Sequence, residues 1–136
     1  MSAYVVSDCQ IKNREDLVRA LEEVFGTGTV EVHDSPFNLM AYAGDKREDV
    51  ANVVVRRRHV GGASNDVGFL QAEDGGWKAI VSKYDQGYLK KKLGGEFVTQ
   101  IKTLAAVNAA ERVAHSRGMK TTRVREGNKV KLTLKR

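Results

Sequence analysis

The chain has 136 residues, of which 41% are hydrophobic and 29% charged, and it carries a formal net charge of +6. This length and balance are typical of one folded domain over residues 1–136 and exclude an intrinsically disordered chain. A single cysteine, Cys9, excludes an intramolecular disulfide and favours a reducing compartment. Because the chain shows neither a signal-like leader nor a long apolar run, we expect a cytoplasmic protein with no membrane contact.

The positive charge is concentrated in the second half of the chain. Residues 1–68 hold 8 lysines and arginines against 11 acidic residues, whereas residues 69–136 hold 15 against 6. This asymmetry favours an acidic partner, whether a protein surface, a nucleic acid or a nucleotide. A solvated basic face without any partner explains the same asymmetry.

The first predicted elements are a short strand and an amphipathic helix. Tyr4–Ile11 is rich in β-forming residues. Asn13 then stands where an N-cap is expected, and Asp16 is placed to complement the helix dipole. Apolar residues follow at helical spacing along one side, namely Leu17, Val18, Leu21, Val24 and Phe25. Gly26 and Gly28 end the helix.

The middle of the chain predicts an antiparallel meander. Short runs of β-type composition are separated by turn residues, and they comprise Thr29–His33, Leu39–Ala43, Val50–Arg57, Val67–Ala72 and Trp77–Lys83. Asp74-Gly-Gly is the strongest hairpin signal, because glycine adopts a positive φ without a Cβ clash. Asp45-Lys-Arg-Glu-Asp alternates acid and base, which suits a salt-bridged turn.

The last predicted elements are a long helix and a hairpin. Helical spacing returns from Phe97 to Arg117 and ends at Gly118. Two strands, Lys120–Arg125 and Lys129–Arg136, flank the turn Glu126-Gly-Asn. The element order is therefore β-α-β-β-β-β-β-α-β-β, which predicts an α+β fold with a mainly antiparallel sheet and two helices packed on one face.

One stretch of the sequence resembles a known family. It runs from Ala51 to Phe69 and contains Arg-Arg, Val-Gly and Ser-Asn-Asp; Tyr42-Ala-Gly-Asp-Lys-Arg precedes it and Ser82-Lys-Tyr-Asp follows it. The chain resembles an uncharacterised family that includes a hypothetical reading frame of plastids and cyanobacteria, with bacterial and phage members. His59 departs from the family pattern, where an aromatic residue stands. The resemblance implies an accessory role, since some bacterial members are encoded near an AAA-type ATPase.

Three consecutive arginines form the first candidate site. If Arg56, Arg57 and Arg58 lie on a strand, Arg57 continues the core face of that strand and the other two point to the opposite face. A buried Arg57 needs a carboxylate partner, and Asp66 and Asp85 are the candidates. The alternative is anion binding, because a guanidinium matches phosphate in a bidentate manner.

The glycine-rich loop that follows the arginines is the second candidate. Ser64, Asn65 and Asp66 lie in a segment whose amides can surround an anion, although it lacks the Gly-Lys-Ser/Thr ending of a P-loop. These residues equally cap their own turns. A catalytic pocket would need Arg57, Asp66, Tyr84 and Asp85 to converge, and the sequence does not decide whether the protein is an enzyme.

Metal and cofactor signatures are weak. His33, His59 and His115 lack partners at ligand spacing, and Asp45-Lys-Arg-Glu-Asp lacks the alternating oxygens of a calcium loop. We therefore predict neither a metal site nor a cofactor. A nucleophilic pair of Cys9 with a histidine stays open, since such partners need only be adjacent in space.

A basic surface is the last candidate, and it is predicted from Lys90, Lys91, Lys92, Lys129, Lys131 and Lys135. The leading interpretation is a non-enzymatic accessory or interaction domain, for example an adaptor to a larger machine such as an AAA-type ATPase. The first alternative is nucleic-acid or nucleotide binding through the basic C-terminal half. The second is an enzyme with a site near Arg57, Asp66 and Asp85.

Overall fold

The computed structural model describes residues 2–127 and 129–136, so Met1 and the predicted turn residue Asn128 lie outside it. Within these ranges the chain forms seven strands and four helices. In chain order they are β1 (Tyr4–Asp8), α1 (Arg14–Phe25), β2 (Val30–Met40), β3 (Lys46–Val55), α2 (Arg57–Val60), β4 (Val67–Gln71), β5 (Trp77–Ser82), α3 (Lys83–Leu93), α4 (Phe97–Ser116), β6 (Lys120–Glu126) and β7 (Lys129–Lys135).

The main sheet has five antiparallel strands in the order β1-β5-β4-β3-β2. The predicted hairpin at Asp74-Gly-Gly is confirmed between β4 and β5. Its ends are joined by a hydrogen bond of 2.7 Å from the Ala72 amide to the Gly76 carbonyl. Together with the helices, this sheet confirms the α+β fold class.

The helices α1, α3 and α4 pack against one face of the main sheet and share a single hydrophobic core with it. Alternate sheet residues supply one side of this core, namely Val53, Val55, Val67, Phe69, Trp77, Ala79 and Val81. The α1 start is confirmed as predicted, because Asn13 Oδ1 accepts the Asp16 amide at 3.1 Å. The Asp16 carboxylate also accepts a hydrogen bond from the Arg112 guanidinium of α4 at 2.9 Å, which links the two helices.

The opposite face of the sheet is covered by the distal half of the β2–β3 hairpin. Leu39 and Ala51 of this hairpin pack on Val54 and Ile80. Gly68 lies beneath them, where a Cβ would come within 2.6 Å of the Ala51 Cβ. The missing side chain thus lets the hairpin fold back over the sheet and reach the loop before β4.

Strand β2 corrects the prediction of two separate strands at Thr29–His33 and Leu39–Ala43. One bulged strand runs from Val30 to Met40, and its pairing with β3 shifts register between Val32 and Phe37. Pro36 lies within this strand because β2 is an edge strand, where a proline without an amide hydrogen is tolerated. The predicted loop at Asp45-Lys-Arg-Glu-Asp is also wrong beyond Asp45, since β3 begins at Lys46.

Four helices replace the predicted two. The strand predicted over Val50–Arg57 ends at Val55, and a helical turn, α2, begins at Arg57. The helix α3 was missed entirely, because the run Trp77–Lys83 was followed by no clear apolar stripe. Its N-cap is Ser82, whose Oγ accepts the Asp85 amide at 3.1 Å.

The predicted C-terminal hairpin is confirmed as β6 and β7, but it forms a sheet of its own rather than joining the main one. Its inner face lies on α4, and Val130 packs against the main core. Arg123 of β6 binds Glu111 of α4 and Glu23 of α1, with a distance of 2.7 Å to Glu23. The helices therefore lie between the main sheet and this hairpin.

Candidate functional site

The loop Ser64–Asp66 is the point where the β2–β3 turn, α2 and the start of α3 meet. Asp66 is 1% exposed, and its carboxylate accepts two backbone amides, from Met40 at 2.9 Å and from Arg57 at 2.7 Å. Its own amide donates to the Met40 carbonyl, and its carbonyl accepts the Tyr4 hydroxyl at 2.7 Å. Burial, and then the negative charge of Asp66, raise the pKa of Tyr4 far above its ordinary value, so this hydroxyl stays a donor.

Arg56 supplies the counter-charge for this buried carboxylate. Its guanidinium donates to Asp66 Oδ2 at 2.9 Å and to both carboxylate oxygens of Glu31 at 2.9 and 3.0 Å. Its guanidinium also lies 5.0 Å from the centre of the Phe37 ring. The hydrogen bonds from Arg56 hold the pKa of Glu31 below its usual range, against the opposing effect of burial. Glu31, Arg56 and Asp66 therefore form a cluster that is closed on itself.

The prediction that Arg57 pairs with Asp66 or Asp85 through its side chain is corrected by this geometry. Only the Arg57 backbone amide reaches Asp66, and the guanidinium lies 5.7 Å from the centre of the Tyr42 ring. The prediction from strand alternation was wrong because Asp66, nine residues after Arg57, accepts the first amide of the helical turn α2, and local sequence patterns do not show such a contact. Among the residues that the structure describes, neither Arg57 nor the exposed Arg58 forms an ion pair with a carboxylate.

Asn65, Ser82 and Asp85 form a second buried cluster behind the first. Asp85 Oδ2 accepts the Asn65 amide at 2.9 Å and the Ser82 hydroxyl at 2.8 Å. The Asn65 side chain in turn accepts the Tyr42 amide at 2.9 Å, which ties down the β2–β3 turn. Two fully buried atoms of this region, Ser64 Oγ and Asp85 Oδ1, have no hydrogen-bond partner within residues 2–127 and 129–136. The cluster anchors the loop to the start of α3.

A groove opens over the arginines and is the candidate functional site. Its volume is about 440 Å³. The lining residues are Phe37, Met40, Gly44, Arg56, Arg57, Arg58 and Asp66. At its edges, Phe37 is 47% exposed and Tyr42 is 55% exposed. We call this surface the arginine–aromatic groove.

No family model, curated protein or solved structure matches this chain.

Among residues 2–127 and 129–136, no three His, Cys, Asp or Glu side chains are grouped so as to hold a metal ion. Nor does any helix in those ranges have the length and apolar character needed to cross a membrane.

The residues predicted for a catalytic pocket do not line one cavity. Arg57 and Asp66 line the arginine–aromatic groove, whereas Tyr84 lines a separate cavity of about 280 Å³ together with Tyr42. The Tyr84 ring stacks on Tyr88, with 6.2 Å between ring centres. Asp85 is 0% exposed and faces the loop. Tyr84 is therefore available as a surface ring, and Asp85 is an interior anchor.

Cys9 has a carbonyl as its partner rather than a histidine. Its thiol is fully buried and donates to the Trp77 carbonyl at 2.9 Å. Burial raises the pKa of this thiol, so the nucleophilic thiolate is disfavoured. The histidines lie elsewhere: His33 stacks on Phe37, and His115 contacts Thr121.

The predicted basic surface divides into two parts with different surroundings. On α3, Lys90 pairs with Glu96 at 3.0 Å and Lys92 lies 5.9 Å from the Tyr88 ring centre, while Lys91 is exposed. On β7, the three predicted lysines are exposed and have no ion pair within the part of the chain that the structure describes; they are Lys129, Lys131 and Lys135.

Sequence reasoning missed several residues of the groove and its support, namely Glu31, Phe37, Met40 and Ser82. Ser82 carried a readable signal, since Ser-x-x-Asp before a helix is a capping pattern. Glu31 and Phe37 carried none, because they reach Arg56 from a strand 25 and 19 residues earlier through folding alone.

Proposed function

We propose that this protein is a non-enzymatic interaction domain that binds an acidic segment of a partner protein in the arginine–aromatic groove. The observation that carries the proposal is the position of Arg57 and Arg58, which lie at the groove without a carboxylate partner in the described chain. Exposed rings of Phe37 and Tyr42 stand beside them. Arginine and aromatic residues are the types that contribute most to protein interfaces.

Hydrogen bonds within the fold preorganise the groove. Asp66 fixes the first amide of α2, and Asn65 fixes the Tyr42 amide, so both walls are tied to one buried loop. Binding of a partner therefore costs less conformational entropy than it would if this surface were a mobile loop. Rigid presentation of Arg57 and Arg58 supports recognition of carboxylates.

The charge of the groove supports a carboxylate-bearing partner over a nucleoside triphosphate. Its three arginines are offset by Glu31 and Asp66, both bound to Arg56. One net positive charge suits one or two carboxylates, whereas a triphosphate carries several negative charges and usually takes a lysine and a metal ion besides. An acidic protein segment is therefore the partner we assign.

The resemblance of the sequence supports a narrower form of the proposal. We propose that the chain belongs to the uncharacterised family of plastids, cyanobacteria, other bacteria and phages, and that the partner is an AAA-type ATPase like the one encoded near some bacterial members of that family. Catalysis near Arg57, Asp66 and Asp85 has weaker support, because both carboxylates carry several hydrogen bonds from the fold itself.

A photocrosslinking experiment in the native host tests the proposal. A photoreactive phenylalanine replaces Tyr42, and the expected result is one reproducible protein adduct. The adduct should disappear in Arg57→Glu/Arg58→Glu, because charge reversal repels an acidic segment. It should persist in Lys83→Glu/Lys91→Glu, two exposed lysines outside the groove that change the net charge equally. An adduct that is indifferent to the arginine reversal, or no adduct at all, would contradict the proposal.

A further inference from the structure

The outer face of the C-terminal hairpin carries a concentrated positive charge. The register of β6 and β7 places eight side chains on this face, namely Lys120, Thr122, Val124, Glu126, Lys129, Lys131, Thr133 and Lys135. All eight are exposed, while the alternate residues face α4 or the hairpin edge. We call these eight residues the lysine face; it shares no residue with the arginine–aromatic groove.

The lysine face places like charges close together, which disfavours the free protein. Lys120 lies directly opposite Lys135, and Lys131 lies opposite Val124. Like charges in cross-strand positions destabilise a sheet, and Glu126 opposite Lys129 relieves one of the four lysines. None of the four lysines forms an ion pair with a carboxylate of residues 2–127 or 129–136. A bound polyanion would remove this repulsion.

The hairpin is rigidly fixed from its inner side. Arg123 binds both carboxylate oxygens of Glu111 and also the Asn108 side chain of α4. Those hydrogen bonds hold the pKa of Glu111 below its usual range. Val130 packs into the core of the domain. An isolated two-stranded hairpin is only marginally stable in water, but these contacts with the rest of the domain stabilise the hairpin that carries the lysine face.

We propose that the lysine face binds the phosphate backbone of duplex nucleic acid. Lysines act as point charges on phosphates, and Thr122 and Thr133 add hydroxyl donors between them. A two-stranded ribbon fits the major groove, which is about 12 Å wide. Seven residues per strand give a length of about 23 Å, enough to follow several phosphates. The inference does not depend on the partner of the arginine–aromatic groove.

The composition of the face decides between the possible anionic partners. It holds no aromatic ring, and single-stranded nucleic acids are bound largely by stacking bases on aromatic side chains. Protein interfaces are depleted in lysine and enriched in aromatic residues, which is the reverse of this face. Duplex phosphate contacts, which need only positive charge and hydroxyls, remain the best match.

The test is a fluorescence anisotropy titration of the whole chain with a duplex DNA of about 20 base pairs over a range of salt concentrations. With four lysine–phosphate contacts, the logarithm of the association constant should fall with the logarithm of salt at a slope of about −3 to −4. Replacing all four lysines by alanine (K120A, K129A, K131A, K135A) should weaken binding at least about tenfold at low salt and flatten the slope. Replacing them by arginine should preserve binding.

A matched control separates the face from net charge. The variant K46A, K78A, K83A, K91A removes four exposed lysines elsewhere, and both quadruple variants lower the formal net charge from +6 to +2. The control should bind within about threefold of the parent chain if the face is the site. Equal weakening in both variants would overturn the proposal. So would tighter binding of a single strand, or of polyglutamate of equal charge, than of the duplex.

Discussion

Two charged regions of this protein are built in opposite ways. Both carboxylate oxygens of Asp66 accept hydrogen bonds, and Arg56 completes the cluster by binding Glu31 as well. On the lysine face, four cations stand in the open, and two of them are directly opposite each other. The first region uses charge to fix the fold, because an unpaired charge there would be buried. The second region keeps its charges exposed, where they are accessible to an anionic partner.

The arginine–aromatic groove lies between these extremes. Arg56 belongs to the closed cluster, while Arg57 and Arg58 stand beside it without an acidic partner in the described ranges. Three identical neighbours in the sequence therefore have different roles. Substitutions that affect only one region at a time separate these roles.

The largest effect is expected from Asp66→Ala. The substitution removes one carboxylate partner of Arg56 and leaves the amides of Met40 and Arg57 without their acceptor. The free energy of unfolding should therefore fall by about 3–5 kcal/mol. Urea denaturation measures the change. Glu73→Ala, at an exposed position on the β4–β5 turn, should alter stability by less than about 0.5 kcal/mol. Similar melts for the two variants would contradict a closed cluster at Asp66.

Arg56→Ala and Arg57→Ala should differ although the two residues are adjacent. Loss of Arg56 removes three charged hydrogen bonds and leaves the Asp66 carboxylate uncompensated, at a cost of about 2–4 kcal/mol. Loss of Arg57 removes a contact with the Tyr42 ring worth about 0.5–1 kcal/mol. Thermal or urea melts compare them. An equal or greater loss for Arg57 would restore the strand interpretation of this segment.

Gly61→Ala and Gly62→Ala test how tightly the loop is packed against α3. A Cβ at Gly61 would come within 2.8 Å of the Tyr88 ring, whereas one at Gly62 meets nothing within 4 Å. Overpacking should lower the stability of the Gly61 variant by about 1–3 kcal/mol, and the Gly62 variant should be neutral. The same pair should differ in crosslinking at Tyr42 if the loop positions the groove.

Acid should weaken the closed clusters before it affects the lysine face. The pKa values of Glu31 and Glu111 are lowered in the folded protein by hydrogen bonds from Arg56 and Arg123. Their contribution to stability is therefore complete above the ordinary value of about 4.3 and is lost as pH falls through the lowered value. Urea melts between about pH 5 and 2.5 should show a shallower decline for Glu31→Gln/Glu111→Gln than for the parent chain. Parallel declines would mean that these pairs do not form.

The smallest effect is expected from Lys120→Glu. It replaces a like-charge pair with an opposite-charge pair across from Lys135, so the hairpin should gain about 0.2–1 kcal/mol. Differential scanning calorimetry can resolve the rise in Tm. Exchange of Lys46, an exposed lysine on the main sheet that lies opposite the uncharged Met40, for glutamate is the control. A loss of stability in the Lys120 variant would show that the lysines already have partners in the free protein.

Elements with local signals were predictable from the sequence. The Asn13 cap and the apolar stripe that follows it gave α1, and Asp74-Gly-Gly gave the β4–β5 hairpin. The fold class followed from the order of such elements. The helix α3 could have been predicted as well, because Ser82 and Asp85 have the spacing of a cap.

The remaining features depend on contacts between distant segments. Arg57 begins a helical turn because Asp66 accepts its amide, and Pro36 sits within a strand because that strand is at the sheet edge. The exposed rings of Phe37 and Tyr42 likewise reach Arg56 and Arg57 through folding, with 5.0 and 5.7 Å between each ring centre and its guanidinium. No local pattern reports these placements, so the groove could be assembled only from the folded chain.

The most direct test of the account is an amide NMR titration of the isotopically labelled chain with the same short duplex at low salt. Shifts should be confined to Lys120–Lys135, with the amides of Arg57, Asn65 and Asp66 unchanged, because those amides are held inside closed clusters. Shifts centred on Arg57–Asp66, or none on the hairpin, would contradict the division between charges that hold the fold and charges that bind.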